Sequence, residues 1–244
     1  MSVRAPSRHV IWHDLECGAY TADLPVWREL AEKHSDPILD VGAGTGRVTL
    51  DLARRGHSVI ALDQDPVLLA ELERRAAGLA VQIVQSDARS FALEQRFALV
   101  IVPMQTVQLL GGASGRERLL QAAGRHLEPG GVLALAITEE LEHFAAEDAA
   151  PLPLPDMREL DGVVYSSQPT AVREAPGGFV LERLRERIGP TGERSVEPDV
   201  IHLDRLSSSQ LQSEARTVGF DPLGTRVVPE TPDHVGSVVV MLGG

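Results

Sequence analysis

The 244-residue chain contains no asparagine, one cysteine (Cys17) and one lysine (Lys33) beside 22 arginines. A single cysteine excludes an internal disulfide and a cysteine-based zinc cluster, and with them the stapled frameworks of small secreted domains. Without asparagine there is no N-glycosylation acceptor. No metal site is expected. Long apolar runs are missing too: the most apolar, Phe97–Met104, falls far short of the roughly 20 residues that span a bilayer. The opening MSVRAPSRHVIWHDLECG lacks an apolar stretch of signal-peptide length. A cytoplasmic protein with no membrane partner is therefore expected. Positive charge is scarce as well, with 23 Lys and Arg against 35 Asp and Glu and a net charge of −12. Residues 1–145 carry 14 basic and 19 acidic side chains, and residues 146–244 carry 9 and 16. Gripping a nucleic-acid backbone requires clustered Lys or Arg to neutralise phosphates, so no nucleic-acid partner is expected.

What the chain does have is a regular alternation of apolar β-type runs and helical patterns, the mark of a parallel sheet with crossover helices. Strands are expected at Pro37–Val41, Ser58–Leu62, Val81–Gln85, Phe97–Val102 and Gly131–Ile137. Helices are expected at Thr45–Arg55, Pro66–Ala77, Gln105–Leu110 and Gly115–Leu127. Ahead of them, Asp23-Leu24-Pro25 with Val26, Trp27, Leu30 and Ala31 reads as a capped amphipathic helix with Pro in its first turn. The pattern breaks at 138–160, acidic and carrying Pro151, Pro153 and Pro155, which reads as a loop or lid. Three strand-like segments follow, Val163–Arg173, Phe179–Ile188 and Glu197–Leu206, separated by APGG and GPTG turns. The middle one also places Leu181, Leu184 and Ile188 on one helical face, but its flanking turns favour a strand. A helix at Ser207–Val218 and strands at Leu223–Val228 and Val235–Leu242 close the chain. The division expected is 1–36 as an N-terminal helical cap, 37–137 as an α/β core, 138–206 as an inserted loop and antiparallel meander, and 207–244 completing the core.

The most informative stretch is Ile38-Leu39-Asp40-Val41-Gly42-Ala43-Gly44-Thr45-Gly46-Arg47. A buried strand ends beside a carboxylate and runs into three alternate glycines before a helix, where backbone can approach a ligand closely and helix N–H groups face it. The dinucleotide fingerprint fails, because its third glycine position holds Arg47. The P-loop fails because the only lysine is Lys33. The remaining Gly-x-Gly-x-Gly resembles the class I methyltransferases that use S-adenosylmethionine, of the small-molecule kind in methyltransferase domains 11 and 25. Further motifs agree in order: Asp63 ends the second strand, Gln64-Asp65-Pro66 opens the next helix, Asp87-Ala88 follows the third strand, Pro103-Met104-Gln105 follows the fourth, and Leu127-Glu128-Pro129-Gly130-Gly131 precedes the fifth.

The resemblance implies a Rossmann-like, seven-stranded, mostly parallel sheet with its last strand antiparallel, helices on both faces, and the β-meander inserted after strand five as a substrate cover or dimer contact. It implies S-adenosylmethionine as cofactor, held by Asp40, Gly42, Ala43, Gly44, Gly46, Asp63, Gln64, Asp87, Ala88, Pro103 and Met104, with Asp63 on the ribose hydroxyls, Asp87 on the adenine amino group and Tyr20 covering the methionine end. In-line methyl transfer to a small-molecule acceptor demands alignment more than a catalytic side chain. Where a proton must be removed, His202, His13 and Glu139 are candidates. Arg183, Arg185 and Arg187 share one strand face, either as an anion pocket or as a solvated face paired with Glu182, Glu186 and Glu193. RNA or protein methylation and a non-catalytic cofactor-binding subunit are the alternatives. The acidity argues against RNA, and the intact glycines and acids argue against a non-catalytic subunit.

Overall fold

A computed structural model describes residues 6–147, 151–231 and 234–244. Residues 1–5, 148–150, 232 and 233, which fall within the cap, insert and C-terminal ranges above, lie outside the described residues. The chain opens with α1 (Arg8–Cys17) and α2 (Leu24–Lys33), then alternates β1 (Ile38–Val41), α3 (Arg47–Arg54), β2 (Val59–Asp63), α4 (Pro66–Arg75) and β3 (Val81–Gln85). Next come β4 (Phe97–Val102), a 3-10 turn (Thr106–Leu109), α5 (Ala113–His126) and β5 (Leu127–Ile137). The strands β6 (Phe144–Ala145), β7 (Asp156–Leu160), β8 (Val163–Ala175), β9 (Gly178–Ile188) and β10 (Arg194–Asp204) follow, and α6 (Ser208–Thr217), β11 (Asp221–Val228) and β12 (Ser237–Gly243) end the chain.

Two compact units result: Tyr20–Glu139 with Leu206–Gly244, and Met1–Ala19 with Glu140–Arg205. Residues 1–36, taken together as one cap in the sequence, are thus shared between both.

The larger unit is a seven-stranded sheet in the order β11-β12-β5-β4-β1-β2-β3, with β12 antiparallel to its neighbours β11 and β5 and the strands from β5 to β3 parallel. Alternate residues of one strand enter opposite layers. Leu39, Val41, Ile60, Leu62, Val100 and Val102 pack with Leu119 and Leu120 of α5 and Leu211 of α6. Ile38, Val59, Leu99 and Ile101 pack with Trp27 and Leu30 of α2 and Val48 and Leu52 of α3. Burial on both faces is why these strands read as unbroken apolar runs. A buried ion pair, Arg116 to Glu214 at 2.7 Å, ties α5 to α6.

In the smaller unit the expected three-strand meander is present as β8, β9 and β10, in a sheet ordered β10-β9-β8-β6 with β7 also on β8. The segment 138–160, expected as a loop or lid, contains β6 and β7. Strand β7 turns back on β8 through Asp161-Gly162, both at positive φ (52° and 75°), a hairpin signal masked in the sequence by the prolines before it. The helix α1 is a further difference. Ser7 Oγ accepts from the Val10 N–H to cap it, and Val10, Ile11, Trp12 and Leu15 are buried.

Glu16 of α1 receives Arg185 Nε and Nη2 at 2.7 Å each and the Ser167 hydroxyl at 2.8 Å, while Trp12 meets Tyr165 edge-on at 5.3 Å. Burial alone would raise the Glu16 pKa, but Arg185, Arg183 and Ser167 hold it below the ordinary carboxylate value. Arg185 also pairs with Asp199, whereas Glu182 pairs with Arg173 and Glu186 with Arg194. Of the expected pairing of Arg183, Arg185 and Arg187 with Glu182, Glu186 and Glu193, Arg187 acts on Glu193, whereas Arg185 closes on Glu16 and Asp199 instead.

Candidate functional site

The carboxyl ends of β1 to β4 gather the chemistry of the larger unit. After β1 the chain turns through Gly42, Gly44 and Gly46 at φ 79°, 54° and 92°. A Cβ on Gly42 would lie 2.6 Å from Thr106 Cγ2, and one on Gly46 would lie 2.2 Å from Leu72 Cδ1, so both positions need glycine for space as well as conformation. Left-handed Gly46 is the N-cap of α3, which is why that helix starts at Arg47 rather than Thr45. The turn is pinned to β2: Gly42 and Ala43 N–H donate to Leu62 O at 2.8 and 3.0 Å, and Gly44 N–H donates to Asp63 Oδ2 at 2.8 Å.

Asp63 Oδ1 accepts from Asp65 N–H at 2.9 Å. An ionised carboxylate offers about four acceptor positions, so each oxygen retains capacity for a ligand hydroxyl. Asp65, not Asp63, caps α4, accepting from Val67 and Leu68 N–H, and Gln64 between them is exposed. Beyond β3, Asp87 is gripped by Arg89 through Nε and Nη2 and through the Arg89 N–H, which together hold its pKa down at about 2. Ala88 packs half-buried against the core.

Strand β4 runs into buried Pro103 and then Met104, whose φ of 54° puts a bulky side chain in the left-handed region. Strain of this kind concentrates at functional sites. The turn is braced from β5: Gln105 Nε2 donates to Thr138 Oγ1 at 2.9 Å, buried Gln108 donates to Thr138 O at 3.0 Å, and Gln108 accepts from Thr138 N–H at 2.8 Å. Beneath the glycine turn, Asp40 is 1% exposed. Its Oδ2 accepts from the Thr49 hydroxyl at 2.6 Å, while Oδ1 has no partner. Burial pushes its pKa up to about 6 despite Thr49 and nearby Arg47. Tyr20 is also buried, and its ring lies 5.0 Å from that of His234.

Of the residues considered for proton removal, Glu139 belongs to the larger unit and His13 and His202 to the smaller. Glu139 accepts from Ser208 N–H and so caps α6. His202 lies exposed on the edge strand β10, and His13 lies on α1; both belong to the smaller unit. Among the described residues no group of three His, Cys, Asp or Glu is arranged to hold a metal, and no helix is long and apolar enough to cross a membrane. Sequence reasoning missed Thr49, Thr106, Gln108, Thr138 and His234. None carries a local signal, because the partners that place them stand far off: Thr49 meets Asp40 9 positions away, Gln108 meets Thr138 30 away, Thr106 lies against Gly42 64 away, and His234 meets Tyr20 214 away.

Residues 38–131 match a family model described as a methyltransferase domain. A cypemycin N-terminal methyltransferase from a Streptomyces species is 32% identical over 105 residues, which is 43% of this chain and 43% of that protein. A cobalt-precorrin-6B C(15)-methyltransferase from Methanothermobacter thermautotrophicus is 33% identical over 46% of this chain and 58% of its own length. The chain thus spans about half the length of the curated relatives it matches. Among solved structures, the glycopeptide N-methyltransferase MtfA with S-adenosylhomocysteine superposes with a TM-score of 0.63 at 26% identity over 98% of both chains. Similarity to CalS10, an amino pentose methyltransferase from Micromonospora echinaspora in its S-adenosylmethionine-bound form, extends over 99% of both chains with a TM-score of 0.71 and 19% identity.

Proposed function

We propose that this protein, whose residues 38–131 match a methyltransferase-domain model, transfers a methyl group from S-adenosylmethionine to the amine of a small molecule. When bound, the cofactor supplies an activated methyl group on a sulfonium.

The observation that carries the proposal is the carboxylate of Asp63, fixed by Gly44 and Asp65 N–H groups yet still able to accept, beside a left-handed glycine turn at Gly42, Gly44 and Gly46. That set fits a nucleoside. Vicinal hydroxyls donate to one carboxylate, and the backbone of Gly42, Ala43, Gly44 and Gly46 lets the ligand come close. Asp87 and Ala88, after β3, take the base end, with Asp87 sharing its carboxylate between Arg89 and the ligand. On the other side of β1, Pro103, Met104 and Tyr20 enclose the amino-acid end. The unpartnered Oδ1 of Asp40 is an orphaned buried acceptor beneath the turn and suits a cationic amino-acid ligand. Gln64, exposed beside Asp63, borders the ribose.

Support for an amine acceptor comes from the similar proteins, among them a glycopeptide N-methyltransferase, an amino pentose methyltransferase and a cypemycin N-terminal methyltransferase. The net charge of −12 supports a small molecule over RNA. A neutral amine is already nucleophilic, so the chain's task is alignment and exclusion of water, in keeping with Glu139 being engaged at the start of α6. Turnover against panels of amines, phenols, carboxylates and ribosomal RNA tests the proposal. Methylated amine is expected; methyl transfer to RNA alone, or none to any small molecule, would overturn it.

A further inference from the structure

Arg47 is the first residue of α3, directly after the glycine turn, and it reaches away from that helix toward the chain ahead of α2. Its Nη1 and Nη2 donate to Asp23 Oδ1 and Oδ2 at 2.6 and 2.7 Å, Nη1 also donates to Tyr20 O at 2.8 Å, and its Cζ lies 5.2 Å from the Tyr20 ring centroid. Asp23 Oδ2 receives in addition the Trp27 Nε1–H at 2.7 Å. The pair is deeply buried, the Arg47 side chain being 10% exposed and that of Asp23 1%.

The cost of this arrangement is visible. Asp23 stands at the N-cap of α2, where an Asp side chain ordinarily caps the helix. Here the side chain makes no capping bond, contrary to the capped helix read from the sequence, and its carboxylate is spent on Arg47 and Trp27 instead. A buried ion pair is weak evidence for stability, since apolar residues of similar volume often serve as well. What such a pair does fix is geometry. It joins the glycine turn to Tyr20–Asp23, and Tyr20 in turn stacks on His234 of the segment before β12.

Strand order says which part of a ligand this affects. The acids suited to a nucleoside, Asp63 and Asp87, sit past β2 and β3, on one side of β1. Tyr20 lies in the apolar cluster against which Met104 packs, and Met104 follows β4, on the other side of β1.

We infer that Arg47 is a positioning residue which, through Asp23 and the Tyr20 backbone, locks the 20–23 segment onto the glycine turn and so forms the wall around the amino-acid arm of the cofactor without serving its adenosine half. The inference rests on the proposed function, and adenosine and S-adenosylhomocysteine separate the two. By calorimetry, Arg47→Met is expected to weaken S-adenosylhomocysteine binding at least tenfold and to leave adenosine binding within twofold, while hydrogen exchange at residues 20–27 rises. Arg47→Lys, which keeps the charge and loses the fork, should fall between. The double variant Asp23→Leu with Arg47→Met replaces the pair by apolar groups and guards against a simple folding defect: it should regain thermal stability yet keep the selective loss. Unchanged affinity for both ligands, or parallel loss of both in the double variant, would overturn the inference. A wild-type protein that binds neither ligand would overturn the proposed cofactor and this inference with it.

Discussion

The two units of this chain are stabilised in opposite ways. In the larger, β1, β2 and β4 bury nearly every side chain, and Asp40 near the end of β1 is buried while Asp63 at the end of β2 is half-buried. In the smaller, the sheet is long-stranded and half-exposed, and its one well-buried face is organised by charge, with Glu16, Arg185 and Asp199 bonded across α1, β9 and β10. Apolar layers leave the strand ends free to carry ligand chemistry. An ionic layer consumes its polar groups internally. The difference explains why Asp63, with acceptor capacity left over, points to a site, whereas Glu16, Arg185 and Asp199, bonded to one another, point to structure.

Four substitutions sharpen or break that contrast. The largest effect is expected for Asp63→Ala, which removes two charge-assisted acceptor bonds of about 1.5–3 kcal/mol each and should weaken S-adenosylhomocysteine binding by about 3–5 kcal/mol in calorimetry. Unchanged affinity would remove Asp63 from the site. Glu16→Ala should do the reverse: it leaves Arg185 to Asp199 alone and lowers stability in urea unfolding by about 2–3 kcal/mol through the lost charge-assisted bonds, with cofactor affinity intact. A comparable loss of affinity would end the division of labour between the units.

Acidification should also act with opposite sign. The Asp40 pKa is raised, so its ionisation opposes folding above about pH 6, and stability should rise as pH falls from 6 toward 4. Asp40→Asn is expected to add about 2–3 kcal/mol at pH 8 and to abolish that rise; a variant no more stable than the parent would sink this account. Glu16, with a lowered pKa, contributes stability above its unfolded value of about 4.5 that is lost as pH falls below it. Smallest of all, His202→Ala on the exposed edge strand should change stability by less than about 0.5 kcal/mol and leave turnover unaltered. A large loss of kcat would restore His202 as a proton acceptor.

Much of the larger unit was legible because its signals are local. A strand buried on both faces is an apolar run, a left-handed turn demands glycine, and a helix start demands a cap; Ile38–Gly46 and Val59–Pro66 display all of these within a few residues. The smaller unit resisted for the same reason inverted. In β7 the exposed residues Met157, Arg158 and Glu159 give no alternation to read, and the partner that makes Asp156–Leu160 a strand is β8. Helix α1 shows its buried stripe once Tyr165 and Ser167 are known to lie against it. The candidate site divides along that line too. Gly42, Gly44, Gly46 and Asp63 were readable, whereas the bracing of Met104 by Gln108 and Thr138 joins residues 30 positions apart.

By itself, then, the sequence determined the order of the parallel strands' elements, the glycine turn and the acids that end β2 and follow β3, because each follows from the chain's own periodicity and backbone freedom. Only the tertiary structure decided which charges are spent. Asp65 caps where Asp63 does not, Asp23 grips Arg47 instead of its helix, Glu139 ends on α6, and Arg185 closes on Glu16. A charged side chain's role is set by what else is buried with it, and that is a property of the folded layers rather than of neighbours along the chain.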